Sequence, residues 1–221
     1  IVTIAKLAMQ KMGKALAEKV SKFIDDFGAA RKALLADENG FSTITGLMGR
    51  YGDEGKKLVG KIDDATFKHM DNVDDIPGFE SVMDDLQRAL KADETSKGAT
   101  QFAKGYKTEI KVASEWRSKG REIREFHLRR RFDINGKETL FESDIVELVG
   151  NKKIGWEIKD VGYLSGTRIE QQIQKMHKAV ELGIINQGKI LVTGKVSEPI
   201  KKLARELNID ILDLQGNILN L

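Results

Sequence analysis

"REIREFHLRRRFDINGKETLFESDIVELVGNKKIGWEIKDV", residues 121–161, reads as three strands joined by two turns. "REIREFHLRRRFDI" (121–134) is the first strand. Asn135-Gly136 is a strong hairpin signal, because both central positions of the favoured two-residue turn need positive φ. "KETLFESDIVELV" (137–149) is the second strand, "GNKK" (150–153) the second turn, and "IGWEIKDV" (154–161) the third strand. Together they form an antiparallel meander. On the third strand Glu157 and Lys159 share one face, while Ile154, Trp156 and Ile158 take the other. One explanation is an exposed face carrying a salt-bridged pair of little energetic weight. The other is a buried strand that keeps an acid and a base for chemistry.

The flanking sequence favours covering helices. "QFAKGYKTEIKVASEWRSKG" (101–120) reads as a helix that stops near Gly120. After the meander come a helix "TRIEQQIQKMHKAVELG" (167–183), a strand "GKILVTG" (188–194), a helix "SEPIKKLARELN" (197–208) and a short strand "IDILDL" (209–214). The order α-β-β-β-α-β-α-β predicts a mixed α/β domain. Upstream, "IAKLAMQKMGKALAEKVSKFIDDF" (4–27) and "DDIPGFESVMDDLQRALKA" (74–92) place apolar residues at helical spacing, and no strand-like alternation appears before residue 120. The polar, aperiodic "KADETSKGATQ" (91–101) is the expected boundary. We therefore expect an all-α domain over 1–95 and an α/β domain over 96–221.

Charge separates the two parts. Residues 1–95 carry 14 Lys and Arg against 17 Asp and Glu, whereas residues 96–221 carry 23 against 17. A basic C-terminal part attracts polyanions such as nucleic acid. No apolar run approaches the ~18 residues that span a bilayer, so no stable membrane insertion is expected. The absence of cysteine excludes disulfides and thiolate metal sites, and three histidines argue against a His-rich zinc site. The acidic "DNVDD" (71–75) lacks the glycine and glutamate positions of a helix-loop-helix calcium site and reads as loop and helix-start residues. The first residue is Ile, which leads us to expect a piece of a longer chain or a processed product.

Three carboxylates stand where apolar residues belong. Glu109 falls within the apolar arc of its helix, among Phe102, Tyr106, Ile110, Ala113 and Trp116. Asp144 sits inside the second strand beside Ile145 and Val146, and Asp is disfavoured there. Glu157 is the third. Their structural explanations are a helix-edge Glu reaching water and a strand-edge or bulge Asp. As a set, Glu109, Asp144 and Glu157 suit a hard divalent cation bound through oxygen, with Mg²⁺ or Mn²⁺ favoured and Zn²⁺ an alternative. Such a cation lowers the pKa of bound water and polarises a phosphoryl group, and Lys159 is placed to stabilise the growing negative charge.

"KGYKTEIKVASEWRSKG … ESDIVEL … GWEIKD" resembles the core of the PD-(D/E)xK nuclease superfamily, which includes restriction endonucleases and Holliday-junction resolvases. The resemblance spans about residues 104–193. It implies a restriction-endonuclease-like sheet with Glu109, Asp144, Glu157 and Lys159 as catalytic residues, the first three also as metal ligands. The Pro that often precedes the Asp is Ser143 here. A helix Gln supports the site in several branches, which implies Gln172, bordering the Ile169–Ile173–Met176–Val180 stripe, with Gln171 its neighbour. Arg129, Arg131, Lys152, Lys153, Arg168 and Lys175 become candidate phosphate contacts, and a solvated cationic surface is the alternative for each.

A helical part joined to a small nuclease resembles the toxic C-terminal regions of bacterial contact-dependent growth inhibition proteins and other polymorphic toxins. That layout implies an N-terminal part assisting entry, delivery from a secreted or surface-exposed protein, action in the target-cell cytoplasm, and a cognate immunity protein. The substrate is expected to be tRNA in preference to DNA, because a compact domain of limited positive charge suits a small folded target. The alternatives are a housekeeping resolvase or restriction-type DNase, and a catalytically inactive nucleic-acid-binding module.

Overall fold

The computed structural model describes residues 61–92, 97–134 and 136–221. The helices expected within 1–60 lie outside the described residues. The chain divides into two compact units, residues 1–74 and 75–221. In the first, helix α1 (Asp64–Asp71) is capped by Asp63, whose carboxylate accepts from the Thr66 amide at 2.8 Å. Asp71 of the acidic cluster thus ends this helix rather than starting one.

The second unit holds helices α2 (Phe79–Ala92) and α3 (Lys97–Ser118), then β1 (Glu122–Ile134), β2 (Lys137–Val149), β3 (Lys152–Lys159) and β4 (Tyr163–Leu164). Helix α4 (Thr167–Glu181), β5 (Gln187–Val192), β6 (Lys195–Val196), α5 (Glu198–Glu206) and β7 (Asp210–Leu212) follow. The described residues make a mixed α/β fold with five helices and a five-stranded sheet in the order β1-β2-β3-β5-β7. The first three strands pair antiparallel, and β3, β5 and β7 run parallel, connected through α4 and α5. The short parallel pair of β4 and β6 was not anticipated by the hydrophobic pattern.

The 95/96 boundary expected from sequence falls inside this unit. Helix α2 packs Phe79 against Phe126 of β1, ring centroids 6.2 Å apart, and the Pro77 carbonyl accepts the Phe126 amide at 2.8 Å. Helical periodicity marks an apolar stripe but not the surface that will cover it. The second turn also differs from expectation. Val149 pairs with Lys152, so the turn is Gly150-Asn151 and Lys152 and Lys153 begin β3.

Both faces of β3 are covered. Trp156 meets Trp116 of α3 at a 4.6 Å centroid distance. Gly155, on the other face, leaves room for the Ile185 side chain, and Glu157 on that same face meets Gln172 of α4. Ile173, Met176, Ile190, Ile200 and Ile211 form the core beneath α4 and α5. A polar clamp fastens the C-terminal end of α3. Buried Glu147 accepts from Arg121 at 2.6 and 2.5 Å and from the Trp156 indole at 3.0 Å, while the Arg121 guanidinium lies 3.6 Å from the Trp116 ring centre.

The docking of residues 77–78 on β1 has a steric requirement. Gly78 has φ +84°, and a Cβ there would sit 2.2 Å from the Phe126 carbonyl oxygen. Gly78→Ala is expected to destabilise the chain by about 2–5 kcal/mol, combining left-handed strain with a backbone clash. Urea unfolding of the 221-residue chain checks this, and an unchanged midpoint would refute the close approach.

Candidate active site

The site opens where β2 parts from β3. Their ladder runs from Val149↔Lys152 to Ile145↔Trp156 and stops. Beyond it, side chains take the place of ladder partners. Ser143 Oγ shares its proton between the carbonyls of Trp156 (3.0 Å) and Ile145 (3.1 Å). The Ile158 amide donates to Asp144 Oδ2 at 2.7 Å. β1 bends at the same level. His127 has φ +49°, and the pairs Phe126↔Ile145 and Leu128↔Ser143 leave it facing Asp144.

Glu109, Asp144 and Glu157 are all buried, with 5%, 9% and 3% of their surface exposed. They line one cleft of about 790 Å³ together with Lys159 and Gln172. Glu109 Oε2 lies 3.0 Å from His127 Nε2. Glu157 Oε1 accepts from both Lys159 Nζ and the Gln172 amide. Each of the three carboxylates thus has one oxygen held, and among the described residues the second oxygen has no protein donor. In the third-strand acid–base pair Glu157 is buried and Lys159 half-buried, so the exposed salt-bridge explanation does not apply.

Burial pushes Asp144 up to about 7, with repulsion from Glu109 adding to it. Burial likewise pushes Glu157 up to about 7, with repulsion from Asp144. Glu109 is also raised, by burial, against the pull of His127. Burial opposes the charge on Lys159, but Glu157 and Asp144 outweigh it and hold the ammonium protonated above its ordinary range. A bound cation would relieve the desolvation and mutual repulsion of these carboxylates; among the described residues, however, the ligand atoms that all lie within 4.8 Å of one another are those of Asp85, His127 and Glu142, not those of Glu109, Asp144 and Glu157.

The candidate phosphate contacts divide. Arg168 and Lys175 line the cleft and have no carboxylate partner among the described residues. Arg129 also lines it but is held by Glu142 at 2.9 Å and Asp85 at 3.2 Å. Arg131 pairs with Glu138 across the hairpin and does not line the cleft. Lys152 and Lys153 start β3 at the end remote from Lys159, roughly 20 Å away at the strand rise. Gln171 lines the cleft beside Gln172. Phe102, expected in the core-facing arc of α3, is 53% exposed at the cleft.

Sequence reasoning missed His127, Asp85, Glu142 and Tyr106. His127 Nδ1 lies 3.3 Å from Asp85 Oδ2 and 3.7 Å from Glu142 Oε1. Burial disfavours its charge, but the bond with Glu109 and the surrounding acids outweigh this and raise its pKa. Burial and the facing acids push the Tyr106 phenol up to about 12. The signal for Asp85 is available in sequence, since it borders the Val82–Leu86–Ala89 stripe of α2 as Glu109 does in α3. Asp85, His127 and Glu142 offer ligand atoms within 4.8 Å of one another, a possible metal-binding triad. Arg88 and Arg129 already engage Asp85, so a cation there would displace two guanidinium contacts.

No family model and no curated protein matches the chain. Among solved structures it is similar to AF1548, a protein of unknown function, with 19% identity over 48% of this chain and 56% of that one and a TM-score of 0.38. It is similar to SfsA of Pyrococcus furiosus, solved in complex with Ca²⁺, with 17% identity over 52% of this chain and 60% of that one and a TM-score of 0.34. VC1899 from Vibrio cholerae shows 13% identity over 80% of this chain and 53% of that one, with a TM-score of 0.39. The chain spans between 53% and 60% of the length of these proteins. Among the described residues no helix is long and apolar enough to cross a membrane.

The raised acids make stability fall with pH. Unfolded Asp and Glu titrate near about 4, so between there and about 7 the folded chain holds protons on Asp144 and Glu157 that the unfolded chain has lost. His127, also raised, acts in the same direction above its ordinary pKa. The thermal midpoint of the metal-free chain is expected to be lower at about pH 8 than at about pH 5.5, with Asp144→Asn flattening the profile. A midpoint that climbs over this range would contradict the assignment.

Proposed function

We propose that the sheet-bearing unit is a metal-dependent endonuclease of the PD-(D/E)xK type, hydrolysing phosphodiester bonds in nucleic acid. The observation that carries this reading is the meeting of Glu109, Asp144, Glu157, Lys159 and Gln172 at one cleft, from four separate elements. Glu109, Asp144 and Glu157 would hold a divalent metal, Mg²⁺ or Mn²⁺ in preference to Zn²⁺, their carboxylates drawing together around it. Bound there, the metal supplies acidified water and charge neutralisation at the phosphate. The protein's own residues do the rest. Gln172 and Lys159 fix the Glu157 carboxylate through Oε1. The Ile158 amide fixes Asp144. His127 holds Glu109 Oε2. Lys159, kept protonated by its acidic neighbours, stabilises charge developing on the phosphoryl oxygens and orients the attacking water. Arg168 and Lys175 at the cleft hold the flanking backbone.

The biological role we propose is that of a contact-dependent growth inhibition toxin, with tRNA favoured over DNA. It would be delivered from a bacterial surface protein to the cytoplasm of a target cell and be neutralised by an immunity protein. Support for this role is the sequence layout alone: apolar residues at helical spacing over 4–27 and 74–92, followed by residues 96–221 with 23 Lys and Arg against 17 Asp and Glu.

Incubation with plasmid DNA and total tRNA, under Mg²⁺, Mn²⁺, Zn²⁺ or EDTA, tests the chemistry. Cleavage is expected with metal and not with EDTA. Glu157→Ala and Lys159→Ala are each expected to lower the rate at least about a hundredfold while the fold is retained by circular dichroism. Full activity in either purified variant would remove the assigned roles.

A further inference from the structure

We infer that the wall formed by Phe102, Gly105 and Leu140 receives an unpaired base, so that the substrate is single-stranded or looped nucleic acid rather than continuous duplex. This rests on the nuclease reading and narrows it. Phe102 is 53% exposed and Leu140 42% exposed, yet both line the cleft whose floor is the buried acids. Exposed apolar side chains beside a strongly polar floor offer a stacking surface. Gly105, one turn from Phe102 inside α3, also lines the cleft, and a Cβ placed on it would meet nothing within 4 Å. Glycine is the poorest helix former after proline, and among the described residues no packing neighbour calls for it here. It leaves open the cleft space that a side chain at this position would enter.

Charge and size select the occupant. Arg168 and Lys175, without carboxylate partners among the described residues, give the same cleft cations for backbone phosphates. The cleft, of about 790 Å³, is of the size that takes one or two nucleotides. Glu157 is 3% exposed, so the phosphate it serves has to enter the cleft, and a base that stacks on Phe102 there has to leave its own stack. An unpaired nucleotide meets that demand without breaking base pairs.

The test uses the full chain with Mn²⁺ and one labelled oligonucleotide sequence, in deoxy and ribo forms. It is offered as a single strand, annealed to its complement, and as the loop of a hairpin. The single strand and the loop are expected to be cut at least about tenfold faster than the duplex. Phe102→Ala is expected to slow cleavage of the single strand by about ten- to a hundredfold with an unchanged thermal midpoint, and Phe102→Trp to retain it. Gly105→Leu should raise the midpoint, because Leu is the better helix former, yet lower the rate by blocking the space. A merely structural role would move stability and rate together. Duplex cut as fast as single strand, or Phe102→Ala at the wild-type rate, overturns this inference and leaves the nuclease reading standing. Cleavage of no substrate with any metal overturns the nuclease reading and this inference with it.

Discussion

Strand β2 leaves β3 at Ser143 and Asp144, and the acidic cleft exists because of that separation. Two strands that stayed paired would satisfy each other's amides and seal the space between them. Here the Ser143 hydroxyl and the Asp144 carboxylate take the positions that ladder partners would have filled. Backbone polar groups remain paired, as burial demands, while the strand ends diverge. Asp144 therefore does two things with two oxygens: Oδ2 repairs the sheet, and Oδ1 has no donor among the described residues. A serine at 143 fits this geometry because its hydroxyl reaches the carbonyl of Trp156; a proline at that position would have no hydroxyl to do so.

Electrostatics at the cleft are deliberately out of balance. Glu109, Asp144 and Glu157 lie near Lys159 and His127, and Asp85 and Glu142 face His127 from the other side. Arg88 and Arg129 neutralise that second group. What remains around Asp144 and Glu157 is sufficient repulsion and desolvation to bring both to about 7. A pair of acids poised at neutral pH is a common property of functional sites. His127, in a left-handed backbone conformation inside a strand, is the element that divides the two groups, with one ring nitrogen turned to each.

Helix α3 serves opposite ends of the unit differently. Its C-terminal half is core, locked by Trp116 against Trp156 and by the Arg121–Glu147 pair. Its N-terminal half is held by polar contacts. Asp160, directly after Lys159, accepts from Thr108 at 2.8 Å and Lys104 at 3.0 Å, and from Thr193 at 3.0 Å. This fastening leaves the cleft side of the first turns bare, so that Phe102 and Gly105 face the cleft.

From the residues alone, the strand periods, the Asn135-Gly136 hairpin and the misplaced polar groups Glu109, Asp144, Glu157 and Lys159 were legible. Each leaves a local trace: alternation of two, a demand for positive φ, or a charge on an apolar face. The five-stranded order, the attachment of α2 to the sheet and the retreat of Lys152 and Lys153 from the site were not, because each depends on which surfaces meet. His127 and Glu142 stayed hidden for the same reason, and Asp85, though marked by its place beside an apolar stripe, could not be linked to them: a histidine on a strand and acids on a helix and a strand carry no mark of one another until folding sets them within 4 Å. Local chemistry is written in the order of residues; the fields and distances that give it a use arise only when remote segments pack.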